Sequence, residues 1–569
     1  MKKYRNKDSI AFDNIKDIIL NSGKLYGEKA AFIIKEGGVK SKNYITKTYN
    51  DLINDVYAFG TALFSMGLKD ARIAVAGRNS YPWMVAYLAN LFCKNIVVPL
   101  DKELQVAELE DSLVRSEAVA FCYDSKYETK INEIREGGKT AVEYWIPTEE
   151  GELSFGKMLE KGRKLMVEGD TSFVNEHPDP DALAILLFTS GTTDKSKAVM
   201  LAQRGLALNI YDMDRTEDVR STDTNIAFLP FHHIFGSVGT LFMLACGVTT
   251  TFPDGLRYIK QNLVEYGVSL FIGVPLLLDG MKSVVEKEVK KQGKENLIKV
   301  MRKVVRFLLK LKIDVRRKVF AQIINALGGK MRLVISGGAP LDPSTADFYK
   351  DIGISLVQGY GLTETSPVIA AETMYCVRRG SVGVPLDSVE VKIDNKDADG
   401  IGEIKARGKT IMLGYYKNRE ATDAVLQDGW FNTGDLGYMD KDGYLFITGR
   451  KKDMIVLKNG KKIFPDEVET LVNHIEGVSE CIVYGYSEDG GISYDKILCK
   501  AVYDESVFKG KTKEEIHSII WNEIKEINKT LPMYKYIKGV TVTNVPLIKT
   551  TTNKVKRAEE IKLINGDAK

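Results

Sequence analysis

The sequence predicts an α/β protein: a large, multi-subdomain N-terminal domain with parallel sheets and a β-rich part, then a small α+β C-terminal domain. Three observations predict this. Short apolar runs alternate with amphipathic segments through the first 380 residues, as strands and crossover helices do in a parallel sheet. Residues 400–449 turn rich in Gly, Asp and aromatics, with short alternating runs such as 444–447, the pattern of β-hairpins. From Arg450 onward, strand-like 481–484 and 497–502 flank helix-like 465–474 and 513–528.

Taken in order, residues 72–76, 96–99, 118–122 and 182–188 read as buried strands, and 49–66 and 81–92 as helices between them. A glycine and a charge cluster at 449–453 separate two dissimilar segments. The boundary is therefore placed there, giving domains 1–450 and 451–569. At 569 residues the chain exceeds one typical domain. Its apolar share of 44% supplies a sizeable core. A net charge of +4 on 80 basic and 76 acidic residues excludes a dedicated nucleic-acid binder.

Six scattered cysteines form no C-x-x-C pair, which argues against a disulfide framework and a structural zinc site. The first nine residues are charged and lack an apolar signal core. The apolar stretch 268–278 is interrupted by Gly273 and Pro275 and is too short to span a bilayer. A cytoplasmic protein is expected. Residues 282–330 hold fifteen Lys/Arg against four Asp/Glu, with Val300, Val304, Phe307, Leu308 and Leu311 at helical spacing. The first reading is a solvated basic face on helices that pack through that stripe. The second is a patch for a membrane surface or an acidic partner.

Two motifs carry chemistry. Leu187-Phe188-Thr189-Ser190-Gly191-Thr192-Thr193-Asp194-Lys195-Ser196-Lys197 runs from a buried strand into a loop of hydroxyls, glycine and lysines. Phosphate binding needs that combination: N–H and O–H donors, close backbone approach and fixed cations. It is not a Walker loop. Gln358-Gly359-Tyr360-Gly361-Leu362-Thr363-Glu364-Thr365 sets an aromatic between glycines, followed by a hydroxyl and a carboxylate suited to phosphate and Mg²⁺. Ser336-Gly337-Gly338-Ala339-Pro340, Thr433-Gly434-Asp435, Gly449-Arg450-Lys451-Lys452-Asp453 and Lys549-Thr550-Thr551-Thr552-Asn553-Lys554 are weaker signals alone.

In this order, the motifs resemble those of the acyl-adenylate-forming superfamily of acyl-CoA synthetases, non-ribosomal peptide adenylation domains and beetle luciferases. The resemblance runs from about Phe12 to Arg557. The loop resembles T-S-G-T-T-G-x-P-K-G, residues 360–364 match Y-G-x-T-E, residues 433–435 match T-G-D, and residues 549–554 resemble K-T-x-x-G-K. Asp194, Ser196, Ala198 and Asn553 depart from these patterns. A carboxylate at 194 facing the phosphates would oppose ATP binding; one turned to solvent or paired with Lys195 would not.

The resemblance implies ATP, Mg²⁺ and coenzyme A as co-substrates and cofactors. It places Thr189, Ser190, Gly191, Thr192, Thr193 and Lys197 on the β- and γ-phosphates, Thr363 on the α-phosphate and Glu364 on Mg²⁺. Tyr360, between Gly359 and Gly361, lies against adenine, with Gly338 and Ala339 on the adenine and acyl side. Asp435 accepts from the ribose hydroxyls and Arg450 adds a contact. Lys554 bridges the acid and the α-phosphate. The small domain is mobile, with Lys452 as hinge, and rotation brings Gly460 to the thiol tunnel. His233, in Pro230-Phe231-His232-His233, matches an L-P-x-x-H motif and is read either as ordering the acid or as a core histidine.

The basic insert before Arg332 and the stretch Ile455-Val456-Leu457-Lys458-Asn459-Gly460 resemble bacterial long-chain fatty acyl-CoA synthetases. A fatty acid is therefore preferred over an amino acid. The rival thiol acceptor is an acyl-carrier protein; a non-catalytic nucleotide binder is a rival of another class.

Overall fold

The computed structural model describes residues 9–189, 196–488, 493–549 and 555–566. Two sheets dominate the first 450 residues. In one, parallel strands run in the order Leu183–Thr189, Ile96–Leu100, Arg72–Ala76, Ala120–Tyr123, Tyr144–Pro147. The antiparallel Lys197–Ala202 and Gly414–Tyr415 extend it past Leu183–Thr189. In the other, Ala30–Glu36, Thr249–Thr251, Thr224–Ile226, Leu270–Gly273, Leu333–Ser336 and Ser355–Gly361 run parallel. Antiparallel strands Asn43–Thr48, Val368–Ala371 and Val384–Pro385 close its edges.

Helices Tyr49–Ser65, Tyr81–Leu91, Gln203–Thr216 and Ile234–Ala245 share one core with both sheets. Tyr81–Leu91 reads YPWMVAYLANL and is buried on nearly every face, as a uniformly apolar helix must be. Thr48 and Asp51 cap Tyr49–Ser65 reciprocally. The hairpins foreseen in 400–449 appear as Gly402–Arg407, Trp430–Met439 and Leu445–Arg450, paired antiparallel.

Past Arg450 comes a small two-stranded ribbon, Ile455–Val456 with Lys462–Ile463. A three-stranded sheet of Val478–Tyr486, Lys496–Tyr503 and Ile537–Thr543 follows, covered by helices Pro465–Val472 and Lys513–Lys529. Among the described residues, no hydrophobic cluster mixes residues from before 450 with residues after it. Ion pairs cross instead: His474 with Asp342 at 2.6 Å, Lys462 with Asp397 at 3.1 Å, Lys290 with Glu476 at 3.5 Å.

One expectation is overturned. Helix Glu295–Lys310 does not pack through the predicted stripe: Val300, Val304 and Phe307 are 57%, 49% and 61% exposed, and Leu311 just beyond it is exposed too. It packs through Val305 with Ile298 and Met301. On this inward side Arg302 and Arg306 both bind the buried Asp351 carboxylate, at 2.6 to 2.7 Å. Two apolar faces compete on this helix, and the arginine pair selects the one that turns inward.

Candidate active site

The site forms where the carboxyl ends of the parallel strands converge, the usual place for ligands in open α/β sheets. Thr189, Asp101, Val274, Gly337 and Gly361 stand at or just past those ends, and all five line one continuous cleft of about 3730 Å³. Thr363, Glu364, His233, Lys197, Gly338, Ala339, Gly359, Tyr360, Asp435, Arg450 and Lys452 line it as well. Gly460 does not: it sits at φ +79° in the exposed turn between Leu457 and Lys461. Ser190, Gly191, Thr192, Thr193, Asp194, Asn553 and Lys554 lie outside the described residues.

The strand Ser355–Gly361 delivers Tyr360 and must then pass close to residue 367. A Cβ on Gly361 would stand 1.9 Å from the Pro367 carbonyl oxygen, so only glycine fits. Gly338, at φ +81°, turns the chain after Leu333–Ser336. The Tyr360 hydroxyl donates to Asp435 Oδ2 at 2.6 Å, and Arg450 Nε meets Oδ1 at 2.8 Å. Asp435 and Arg450 are register partners on adjacent strands, which is why two distant motifs meet. Burial beside that carboxylate pushes the Tyr360 phenol far above its ordinary range. The aromatic therefore stays neutral and donates.

Glu364 occupies a 3₁₀ turn, Thr363–Thr365, and accepts from the Tyr415 hydroxyl at 2.8 Å. The Lys197 ammonium lies over the Tyr415 ring at 4.7 Å. An anionic oxygen and a cation thus stand on one phenol, a donor set that fits a Mg²⁺-bound polyphosphate. Thr189 donates to the Lys197 carbonyl at 3.3 Å.

Two of the departures have an account. Arg115 donates to the Ser196 hydroxyl at 3.1 Å and to its carbonyl at 2.6 Å while stacked over Phe188 at 5.1 Å. A guanidinium clamp thus anchors the loop exit at the position where the family pattern has proline. Ala198 is buried in its strand, and its carbonyl accepts from the Tyr416 N–H at 2.8 Å.

His233 stands at the start of helix Ile234–Ala245, its Nε2 3.1 Å from His232 Nε2. His232 is buried, 3.4 Å from the Asp101 carboxylate. Asp101 orders His232, which abuts His233. Sequence reasoning did not single out Asp101, Tyr415 or Arg115. Asp101 had a signal, as the residue following strand Ile96–Leu100; the other two had none.

From the small domain, Lys549 and Val555 line the cleft and bridge to one another. Lys549 opens the terminal lysine motif and Val555 follows it. Arg557 fixes the following helix, Arg557–Gly566, by binding Glu469, Asp466 and the Val483 carbonyl.

The sequence profile of AMP-binding enzymes matches residues 21–416, and that of the AMP-binding enzyme C-terminal domain matches 452–564. The chain belongs to the AMP-binding enzyme family. Curated relatives of this AMP-binding enzyme include a chloroplastic long-chain-fatty-acid–[acyl-carrier-protein] ligase of Arabidopsis thaliana, 27% identical over 90% of this chain and 80% of that one. A fatty acyl-CoA synthetase of Dictyostelium discoideum is 29% identical over 83% and 75%. Among solved structures, an anthranilate CoA ligase with anthranoyl-AMP shares the fold at TM-score 0.77 and 19% identity, covering 97% of each chain. A Mycobacterium tuberculosis fatty acyl CoA synthetase does so at 0.65 and 21%, covering 97% and 98%.

Proposed function

We propose that this AMP-binding enzyme activates a medium- to long-chain fatty acid with ATP as an acyl-adenylate and passes the acyl group to coenzyme A. The observation that carries the reading is the single cleft. It joins Thr189, Lys197, Glu364, Tyr360, Asp435 and Arg450 to an apolar lining beside His233 that includes Phe235, Val238 and Phe242 of helix Ile234–Ala245.

In the first step a carboxylate oxygen attacks the α-phosphorus and pyrophosphate leaves. Two anions must be held together, so positioning and fixed positive charge are the main means of catalysis. Lys197 and the Thr189 hydroxyl hold the β- and γ-phosphates with Ser190, Gly191, Thr192 and Thr193. Thr363 binds the α-phosphate, and Glu364 holds Mg²⁺, whose charge offsets that of the phosphates. Asp435 and Arg450 take the ribose, and Tyr360, Gly359, Gly361, Gly338 and Ala339 bound the adenine. His233, ordered through His232 and Asp101, orients the acid, and Lys554 bridges it to the α-phosphate. In the second step a thiolate sulfur attacks the acyl carbon and AMP leaves. The division at 450/451, the Lys452 hinge and the use of Gly460 at the thiol entrance belong to this reading.

The acyl-carrier protein is the alternative acceptor, supported by the Arabidopsis relative's own acceptor. We place the enzyme in the cytoplasm, since cysteines scattered along the sequence without a C-x-x-C pair fit a reducing compartment. It touches anionic membrane surfaces peripherally through the exposed Val300, Val304 and Phe307 face and the adjoining lysines. Among the described residues, no helix is long and apolar enough to cross a membrane.

The test is a panel of carboxylic acids scored by AMP release with and without coenzyme A. Lys554→Ala should lower acid-dependent pyrophosphate exchange about a hundredfold, or ~3 kcal/mol, with ATP binding retained. Exchange near the wild-type rate in that variant would sink the assignment.

A further inference from the structure

Residues 412–416 are tied to both chemistry-bearing motifs at once. The Met412 N–H donates to the Glu364 carbonyl at 2.8 Å. Strand Gly414–Tyr415 pairs antiparallel with Lys197–Ala202, Tyr415 opposite Val199 and Gly414 opposite Met200. The Leu413 N–H donates to the Met200 carbonyl at 2.9 Å and the Tyr416 N–H to the Ala198 carbonyl at 2.8 Å. The Thr422 hydroxyl accepts the Tyr415 N–H at 2.9 Å. The backbone of Tyr415 is therefore fixed against the phosphate-loop strand and the Glu364 turn together. Its side chain is buried, with the hydroxyl 2.8 Å from Glu364 Oε1 and the ring 4.7 Å from the Lys197 ammonium.

We infer that Tyr415 is a positioning residue for both charges: its hydroxyl sets the Glu364 carboxylate for the metal, and its ring sets the Lys197 ammonium for the phosphates of ATP. The inference rests on the assignment, in the ligase reading above, of Glu364 to Mg²⁺ and Lys197 to the phosphates. Glu364 stands on a short 3₁₀ turn, Thr363–Thr365, and its side chain has several staggered rotamers open to it unless a partner selects one. The phenol is that partner. Burial and the Glu364 charge push the Tyr415 phenol far above its ordinary range, with Arg450 pulling weakly the other way. It therefore stays neutral and donates. Carboxylates that hold metals are oriented by such donors, and loss of one typically costs about ten- to a hundredfold in metal affinity or activity. The two roles sit on separate parts of one side chain. Tyr415→Phe deletes the hydroxyl and keeps the ring, and Tyr415→Leu deletes both.

The experiment is calorimetry on the full-length enzyme without acid, measuring ATP affinity at saturating Mg²⁺ and again in EDTA. The ratio of the two reports how well the site holds the metal. Tyr415→Phe should lower that ratio about tenfold or more, with affinity in EDTA kept within about twofold because the cation–π contact remains. Tyr415→Leu should lower the ratio and also weaken metal-free ATP binding by about threefold or more. Glu364→Gln should lower the ratio likewise, and adding Tyr415→Phe to it should cost little more, since the hydroxyl acts through that carboxylate. A ratio in Tyr415→Phe equal to that of wild type would overturn the inference. Full additivity of the two substitutions would do the same, as would equal metal-free losses in the Phe and Leu variants. An unchanged ratio in Glu364→Gln would overturn the metal assignment and the inference with it. Failure of every carboxylic acid to release AMP would overturn the ligase reading instead, while these titrations, made without acid, still decide the role of Tyr415.

Discussion

Glu372 is 3% exposed behind the strand Ser355–Gly361, where its carboxyl oxygens accept the Arg378 and Gln358 N–H groups at 3.1 and 3.3 Å. Burial outweighs those bonds and the pull of Lys350, and pushes its pKa up to about 8. The folded protein then holds a proton that the unfolded chain has released above about pH 4.5. Stability from this group is full below that value and falls as pH rises to about 8, by roughly 5 kcal/mol. Glu372→Gln cannot ionise. Its melting temperature should decline less than that of wild type between pH 5.5 and pH 8.5, and equal declines would mean the carboxyl is already ionised at the lower pH. Residues of this kind were not legible in the sequence. Tyr360, Glu364 and Asp435 were, because glycines and hydroxyls surround them in contiguous motifs. Glu372 acquires its character from Gln358 and Arg378, which no motif ties to it.

The helix Glu295–Lys310 shows what an element's own sequence leaves open. Its amphipathic character was legible, but the identity of its buried face was not, since Ile298, Met301 and Val305 alternate with Val300, Val304 and Phe307 around the same cylinder. Asp351, on helix Pro343–Ile352, decides the rotation by binding Arg302 and Arg306. Strands were easier: apart from Arg72 at the start of one and Thr189 at the end of the other, Arg72–Ala76 and Leu183–Thr189 are apolar, as both-face burial requires. The outward face of the helix joins exposed valine and phenylalanine to Lys299, Lys303 and Lys310, a composition suited to an anionic lipid surface. Val304→Glu with Phe307→Glu should leave melting within about 1 °C, since neither side chain is buried. Cosedimentation with phosphatidylserine-containing vesicles should fall severalfold. Unchanged cosedimentation would remove the helix from membrane contact.

At the scale of the whole molecule, the small domain is held by little. Among the described residues its apolar clusters are its own, and of the ion pairs across the boundary Lys290 with Glu476 is exposed on both sides, while Lys462 with Asp397 and His474 with Asp342 are exposed on the small-domain side. Such pairs contribute about 0–1 kcal/mol each. This is the energetic condition for a domain that changes orientation during turnover. In the arrangement seen, Lys549 and Val555 line the cleft while Gly460 does not; under the proposed function this is the arrangement for adenylate formation, and the thiol step calls for a rotation. The boundary placed at 449–453 rests on the change of composition there; which side of the small domain faces inward was not legible, because that depends on contacts between distant surfaces. Lys452 lies in the short 3₁₀ turn Lys451–Asp453 between the two parts. Lys452→Pro fixes φ there at one value. Adenylate formation should persist within about threefold, since one orientation suffices for it. Thioester formation from preformed acyl-adenylate should fall by about a hundredfold or more, as expected when a conformational step is blocked. Both half-reactions are measured on the same preparation, with melting as the control for folding. A variant that melts normally and loses both half-reactions equally would show that the chain does not turn at Lys452.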